Sequence, residues 1–221
     1  LIYAVPIAAL TGLTYLAALV SLVHGEASTN VPIYRLNFVL SSAFAVVFRG
    51  EALTPRKIAG SALCLLALLL FFLGSRAGAK GERRGDRRGL LASVVACFGA
   101  AGLNVMNKTA LAAGASVEHL LFYRYLLIAA GCAVALALRR QRPALSGRLA
   151  LTAAICAVLM LASVFFVLTA LETGDLSLVV PISSSSFLFT ALLSFLVLRE
   201  PLSWGKVTGL AAAVAGVVVI R

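Results

Sequence analysis

The 221-residue sequence reads as an all-α protein built to lie in a lipid bilayer, and three observations support that reading. Only 12% of its residues are charged against 62% hydrophobic, where a soluble domain carries roughly 25% charged residues. Mean hydropathy is +1.04, so one aqueous core could not hide the apolar side chains. Apolar runs of about 20 residues, enough for a helix to cross roughly 30 Å of hydrocarbon, recur along almost the whole chain.

Pro, Gly and charged residues punctuate the sequence. They separate apolar spans at 3–23, 29–48, 55–74, 89–109, 116–138, 148–171, 176–198 and 203–220. The first ends at His24 and Gly25, the second carries Pro32 near its head, and the third opens on Pro55. A basic stretch, SRAGAKGERRGDRRG at 75–89, separates the third from the fourth and has the composition of a linker. The fifth runs into Arg139, Arg140 and Arg142, the sixth into Glu172, Gly174 and Asp175, and the seventh, with Pro181 near its head, into Arg199 and Glu200. Helices fit these spans better than barrel strands. A barrel strand alternates strictly over about ten residues, and ALCLLALLLFFL at 62–73 does not alternate. Backbone in lipid must satisfy its own hydrogen bonds, which leaves helices.

The linker divides the chain into a first unit at 1–74, with three spans, and a second at 89–221, with five. An offset of 149 residues aligns them. Pro32 then matches Pro181, Phe38 matches Phe187, Glu51 matches Glu200, Leu53 matches Leu202, Lys57 matches Lys206 and Gly60 matches Gly209. Upstream, Ser28 matches Ser177 and Glu26 faces Asp175. Apolar letters agree easily by chance in such a composition, but Pro, Glu, Lys and Gly in one register do not. Three spans against five lead us to expect two more spans upstream of Leu1. A repeat with an odd number of spans reverses the direction of the next, so the two units are expected to have inverted topology, as in many secondary transporters.

The stretches VPIYRLNFVLSSAFAVVFRGEALTPRKIAG and VVPISSSSFLFTALLSFLVLREPLSWGKVTG resemble the paired signature of EamA-like proteins of the drug/metabolite transporter superfamily. LNVMNKTALAAGASVEHLLFYRYL, with Lys108 and Arg124, resembles the opening helix pair of such a repeat. The resemblance implies a ten-helix fold of two five-helix repeats around a substrate cavity, of which about eight helices fall in this chain. It also implies export of small metabolites or drugs by alternating access at the cell membrane. Charge bias places the basic linker on the cytoplasmic side, whereas the resemblance implies the opposite orientation.

Glu51 and Glu200 each follow a span, beside a basic residue, and read as structural carboxylates that fix the short turn and cap a helix. Together with Pro32, Lys57, Gly60, Pro181, Lys206 and Gly209 they form the structural motif. Gly205, Gly209 and Ala213, like Ala129, Ala133 and Ala137, recur at intervals of four and suit close helix packing. Arg35 and Arg124 are the informative cations, because arginine within a membrane is costly. Four fates are open to them: snorkelling to the headgroups, lining a cavity, attracting anionic groups on a substrate, or burial against Glu118 or helix carbonyls.

The run PISSSSF at 181–187 sets Ser183 opposite Tyr34, Ser184 opposite Arg35 and Ser186 opposite Asn37 in the repeat register. Both units thus carry polar residues where an internal twofold would bring them to one central space. Tyr34, Arg35, Asn37, Asn104, Ser183, Ser184 and Ser186 are therefore the expected lining of a substrate cavity, with Ser185 the member expected to pack. Asn107 is expected to bond between helices.

The composition argues against several other functions. The net charge of +11 lies mainly between apolar runs, which has a membrane explanation and argues against nucleic-acid binding. Cys64, Cys97, Cys132 and Cys156 lie in separate spans without a CxxC pair, and His24 and His119 have no second His or Cys at metal spacing. No metal, cofactor or catalytic residue is assigned. A small-molecule substrate, membrane lipids and a coupling proton or counter-substrate are the expected partners. A non-transporting scaffold and an enzyme acting on lipid phosphates are the competing readings, the latter lacking any carboxylate cluster of the DxxD or HEXXH kind.

Overall fold

The computed structural model of the chain describes residues 2–24, 30, 33–52, 54–76, 87–138, 146–186 and 204–220. Among these residues there are no strands, and eight helices follow one another. They are α1 (Ala4–His24), α2 (Asn37–Arg49), α3 (Pro55–Arg76), α4 (Arg87–Ala112), α5 (Val117–Leu138), α6 (Gly147–Thr173), α7 (Leu176–Ser184) and α8 (Trp204–Ile220). Four of them, α1, α4, α5 and α6, are long and apolar enough to cross a membrane. On α6 only Leu168 and Leu171 are buried, while Leu151, Val158, Leu159 and Phe166 point outward. A helix that is apolar all round belongs in lipid, so the bilayer solvates this one.

Local chemistry sets the helix ends. The Ser146 hydroxyl accepts from the Leu149 N–H and starts α6. Gly50, in the left-handed region at φ 65°, ends α2, and the N–H groups of Gly50 and Glu51 donate back to the carbonyls of Val46 and Ala45. Gly114 at φ 85° ends α4 in a similar way.

Two of the expected continuous spans are interrupted. The span expected at 29–48 turns at Leu36 before α2 begins, and the one expected at 176–198 leaves helix α7 after Ser184 and turns at Ser185 and Ser186. Leu36 plus the repeat offset of 149 is position 185, so both interruptions fall at one register. Polar side chains compete with the helix for carbonyls at both places. Asn37 Nδ2 donates to the Tyr34 carbonyl (2.8 Å). Ser183 Oγ donates to the Val180 carbonyl and Ser185 Oγ to that of Pro181, each at 3.0 Å.

Small residues allow the helices to approach. The most extensive packing joins α3 to α8, and the next joins α1 to α4. Gly60, Cys64 and Ala67 on α3 are buried, as are Gly209, Ala213 and Gly216 on α8. A Cβ added to Gly216 would lie 2.9 Å from Cys64 Sγ and 3.0 Å from the Gly60 carbonyl oxygen. Between α1 and α4, Gly99 is pressed onto Thr14, whose hydroxyl stays satisfied by the Leu10 carbonyl (2.7 Å). Gly216→Leu should therefore destabilise the fold by about 1–3 kcal/mol through overpacking. Gly12→Ala, whose Cβ meets nothing within 4 Å, should not. Equilibrium unfolding in detergent micelles compares the two, and equal stability of both variants would contradict this packing.

Candidate functional site

The α6–α7 connection is three-sided in its chemistry. It runs through Gly174 and Asp175, and a Cβ at Gly174 would come within 2.8 Å of the Ala170 carbonyl oxygen, leaving no room for a side chain. The last carbonyls of α6 receive Lys108 of α4, whose Nζ donates to Leu171 (2.6 Å) and to Gly174 (2.8 Å). A cation there complements the negative end of the helix dipole. The first N–H groups of α7 donate to Glu51: Leu176 N–H to Oε1 and Ser177 N–H to Oε2, each at 3.0 Å, with the Ser177 hydroxyl adding 2.7 Å to Oε2. A carboxylate at a helix N-terminus meets both orphan donors and the positive dipole end.

Asp175 occupies the N-cap of α7 yet makes no capping bond. Its carboxylate pairs instead with Lys57 of α3, Nζ to Oδ2 at 2.6 Å, and Lys57 also donates to the Ala52 carbonyl at 3.3 Å. Glu51 thus takes over the capping that Asp175 relinquishes. The sequence suggests that Glu51 fixes its own turn. It does cap a helix, but one in the other unit, because Thr54 already caps α3 by accepting from the Lys57 N–H at 3.3 Å.

In an exposed contact, Arg35 Nη1 donates to Ser186 Oγ at 3.1 Å, joining the two units at the register where α2 and α7 break. Arg35, Phe38, Cys64, Leu68, Pro181, Ser184 and Ser185 enclose a cavity of about 10 Å³, enough for one water at most. Ser185 is buried, and its hydroxyl also lies 3.8 Å from Cys64 Sγ, consistent with a packing role. Asn104 Nδ2 reaches Ser41 Oγ across α4 and α2 at 3.0 Å. Of the residues proposed from sequence, Arg35, Ser184 and Ser186 therefore come together. Asn37 and Ser183 bond to local carbonyls, and Asn104 bonds to another helix. Tyr34 lies within electrostatic range of Arg35 and Arg124.

Gly60, Lys57 and Pro181 sit on α3 and α7 as described, and Gly209 is buried on α8. Lys206 belongs to α8, but its side chain lies outside the described residues, as do Pro32 and Glu200 altogether. Arg124 neither snorkels nor pairs with Glu118: it is 4% exposed, Glu118 is exposed, and the ion pair among the described residues is Lys57–Asp175. Sequence reasoning missed Lys108 and Asp175 as partners. Asp175 carried a signal, since the repeat sets it opposite Glu26, whereas Lys108 carried none beyond its place at a span end.

Lys108, Glu51, Lys57 and Asp175 together form a clasp around the α6–α7 connection, and these contacts rank its two carboxylates. Glu51→Ala uncaps α7 and should cost about 1–2 kcal/mol. Asp175→Asn breaks an ion pair whose aspartate side chain is 57% exposed, and should cost under about 1 kcal/mol. Urea unfolding in micelles measures both, and a larger loss for Asp175→Asn would reverse the assignment of the cap.

Comparison with known proteins agrees with this architecture. A solved crystal structure of a protein superimposes with a TM-score of 0.78 at 19% identity, covering 98% of this chain and 76% of the other, a likeness of fold. No curated protein sequence matches the chain. The EamA-like transporter family matches residues 87–221, which is 135 of the 221 residues. With its apolar spanning helices, this is a multi-pass membrane protein, and it belongs to the EamA-like transporter family.

Proposed function

We propose that the chain carries a small organic solute across the cell membrane as a secondary transporter, by alternating access between two inverted repeats. The observation that carries this reading is the Arg35–Ser186 hydrogen bond. It joins two polar segments that the 149-residue repeat relates, at the one register where both units leave regular helix. Interrupted helices that turn polar backbone and side chains toward a shared centre are how transporters build a site near the membrane midplane.

The cavity of about 10 Å³ beside Arg35 is too small for an organic solute, so transport requires the units to part there. The clasp supplies the opposing constraint. Lys57 and Glu51 tie α3 and the turn after α2 to the α6–α7 connection, and their release on one side of the membrane would let the two units rock. A proton gradient or a counter-moving solute would drive the cycle, with no covalent chemistry by the protein.

Efflux from loaded vesicles, with and without a proton gradient, tests the reading. Ser183→Leu combined with Ser186→Leu should abolish efflux while leaving membrane insertion intact, and normal efflux by the pair would remove the serines from the path. In a background without Cys64, Cys97, Cys132 and Cys156, the pair Lys57→Cys and Asp175→Cys should stop transport on oxidation and recover it on reduction. Undiminished transport by the oxidised protein would mean that the clasp stays shut throughout the cycle.

A further inference from the structure

Neither the clasp nor the Arg35–Ser186 contact uses Glu118. It is the second residue of α5, and it takes no part in the ion pair found among the described residues, Lys57 with Asp175. It lines a groove of about 740 Å³ between α5 and α6, a volume within the roughly 300–1,000 Å³ of small-molecule sites. Phe122 and Tyr125 follow Glu118 by four and seven positions, so the three share one face of α5. Val158, Phe165 and Phe166 belong to the wall on α6. From Val158 to Phe166 that wall advances eight residues, roughly 12 Å at 1.5 Å per residue.

Charge gives this groove a direction. Glu118 supplies a carboxylate at the end where α5 begins, and no Lys or Arg is among the described lining residues. Arg124 is buried outside the lining: its Cζ lies 5.8 Å from the Tyr125 ring centre, with Tyr15 and Tyr34 in electrostatic range. A cation in the groove is therefore drawn to the Glu118 end and repelled from the Tyr125 end. Because α6 buries only Leu168 and Leu171, aromatic surface stands open along the way, with Phe122 63% and Phe166 70% exposed. The groove between α1 and α5, of about 580 Å³, is also apolar, but no charged residue is in its described lining and it gives a ligand nothing to orient on.

We propose that the α5–α6 groove binds a lipophilic monocation, an ammonium group on a single apolar chain, with its charge beside Glu118 and its chain against Phe122, Phe165 and Phe166. The carboxylate complements the charge, and the ring faces add cation–π attraction. A phospholipid ammonium travels with a phosphate, and that phosphate would meet Glu118 with no arginine or lysine in the described lining to offset the repulsion. A cation without a phosphate carries no such cost. The site lies within the second unit and stands apart from the contact between units, so it does not depend on the transporter reading.

Binding of radiolabelled decyltrimethylammonium to the purified chain in lipid nanodiscs, corrected for empty discs, tests the site. Glu118→Gln should weaken binding about fivefold, and decanol and decanoate should fail to compete. Glu118 is exposed, so this variant should elute and melt like the wild type. Ala162→Phe keeps the carboxylate but fills the groove, which Ala162 lines, and should weaken binding by a similar factor. Binding should be equal in discs of phosphatidylcholine and of a neutral glycolipid. The absence of saturable binding, wild-type affinity in Glu118→Gln, or equal displacement by decanol would mean that the groove holds annular lipid only and would overturn the proposal. Markedly weaker binding in phosphatidylcholine than in glycolipid would also overturn it, assigning the groove to a choline headgroup.

Discussion

The connection between α6 and α7 is the constraint on which the rest depends. Backbone polar groups near hydrocarbon must find partners within the protein, and here a helix end and a helix start lie only two residues apart. Three side chains from three separate segments complete them: Lys108 on the carbonyls, Glu51 on the N–H groups and Lys57 on Asp175. Because Glu51 and Lys57 come from the first unit and the connection from the second, satisfying the backbone also docks the units. The left-handed turn at Gly50 matters for the same reason, since it delivers Glu51 to α7.

The closest helix packing relies on small side chains. Glycine, alanine and cysteine hold α3 against α8, and Gly99 against Thr14 holds α1 against α4. The polar contacts lie elsewhere, where Arg35 meets Ser186 and Asn104 meets Ser41. The two seams without interior charge suit rigid pairs.

Much of this was legible in the sequence, for identifiable reasons. Apolar runs of spanning length report helices because lipid offers the backbone no alternative, and six of the eight expected spans emerge with ends shifted by only a few residues. The two that break do so where Asn37, Ser183 and Ser185 take helix carbonyls, a local competition that hydropathy does not register. The match at an offset of 149 set Arg35 opposite Ser184, two residues from the Ser186 that it contacts. It did not reveal that Glu51 reaches 125 residues along the chain to Leu176, because a turn carboxylate reads the same whichever helix it caps. Arg124 stood out by cost alone, and its burial among tyrosines required the packing of three segments.

The reach of Glu51 also orders events during synthesis. Its partners on α7 are made 125 residues later, roughly 6–25 s at about 5–20 residues per second. Through that interval the carboxylate and the Lys57 ammonium sit in the membrane-facing first unit without Leu176, Ser177 or Asp175 to engage. The first unit therefore waits in the bilayer as a loosely joined set of helices, exposed to whatever insertion machinery or lipid headgroups can hold two opposite charges, and the arrival of one short connection locks its geometry late in translation.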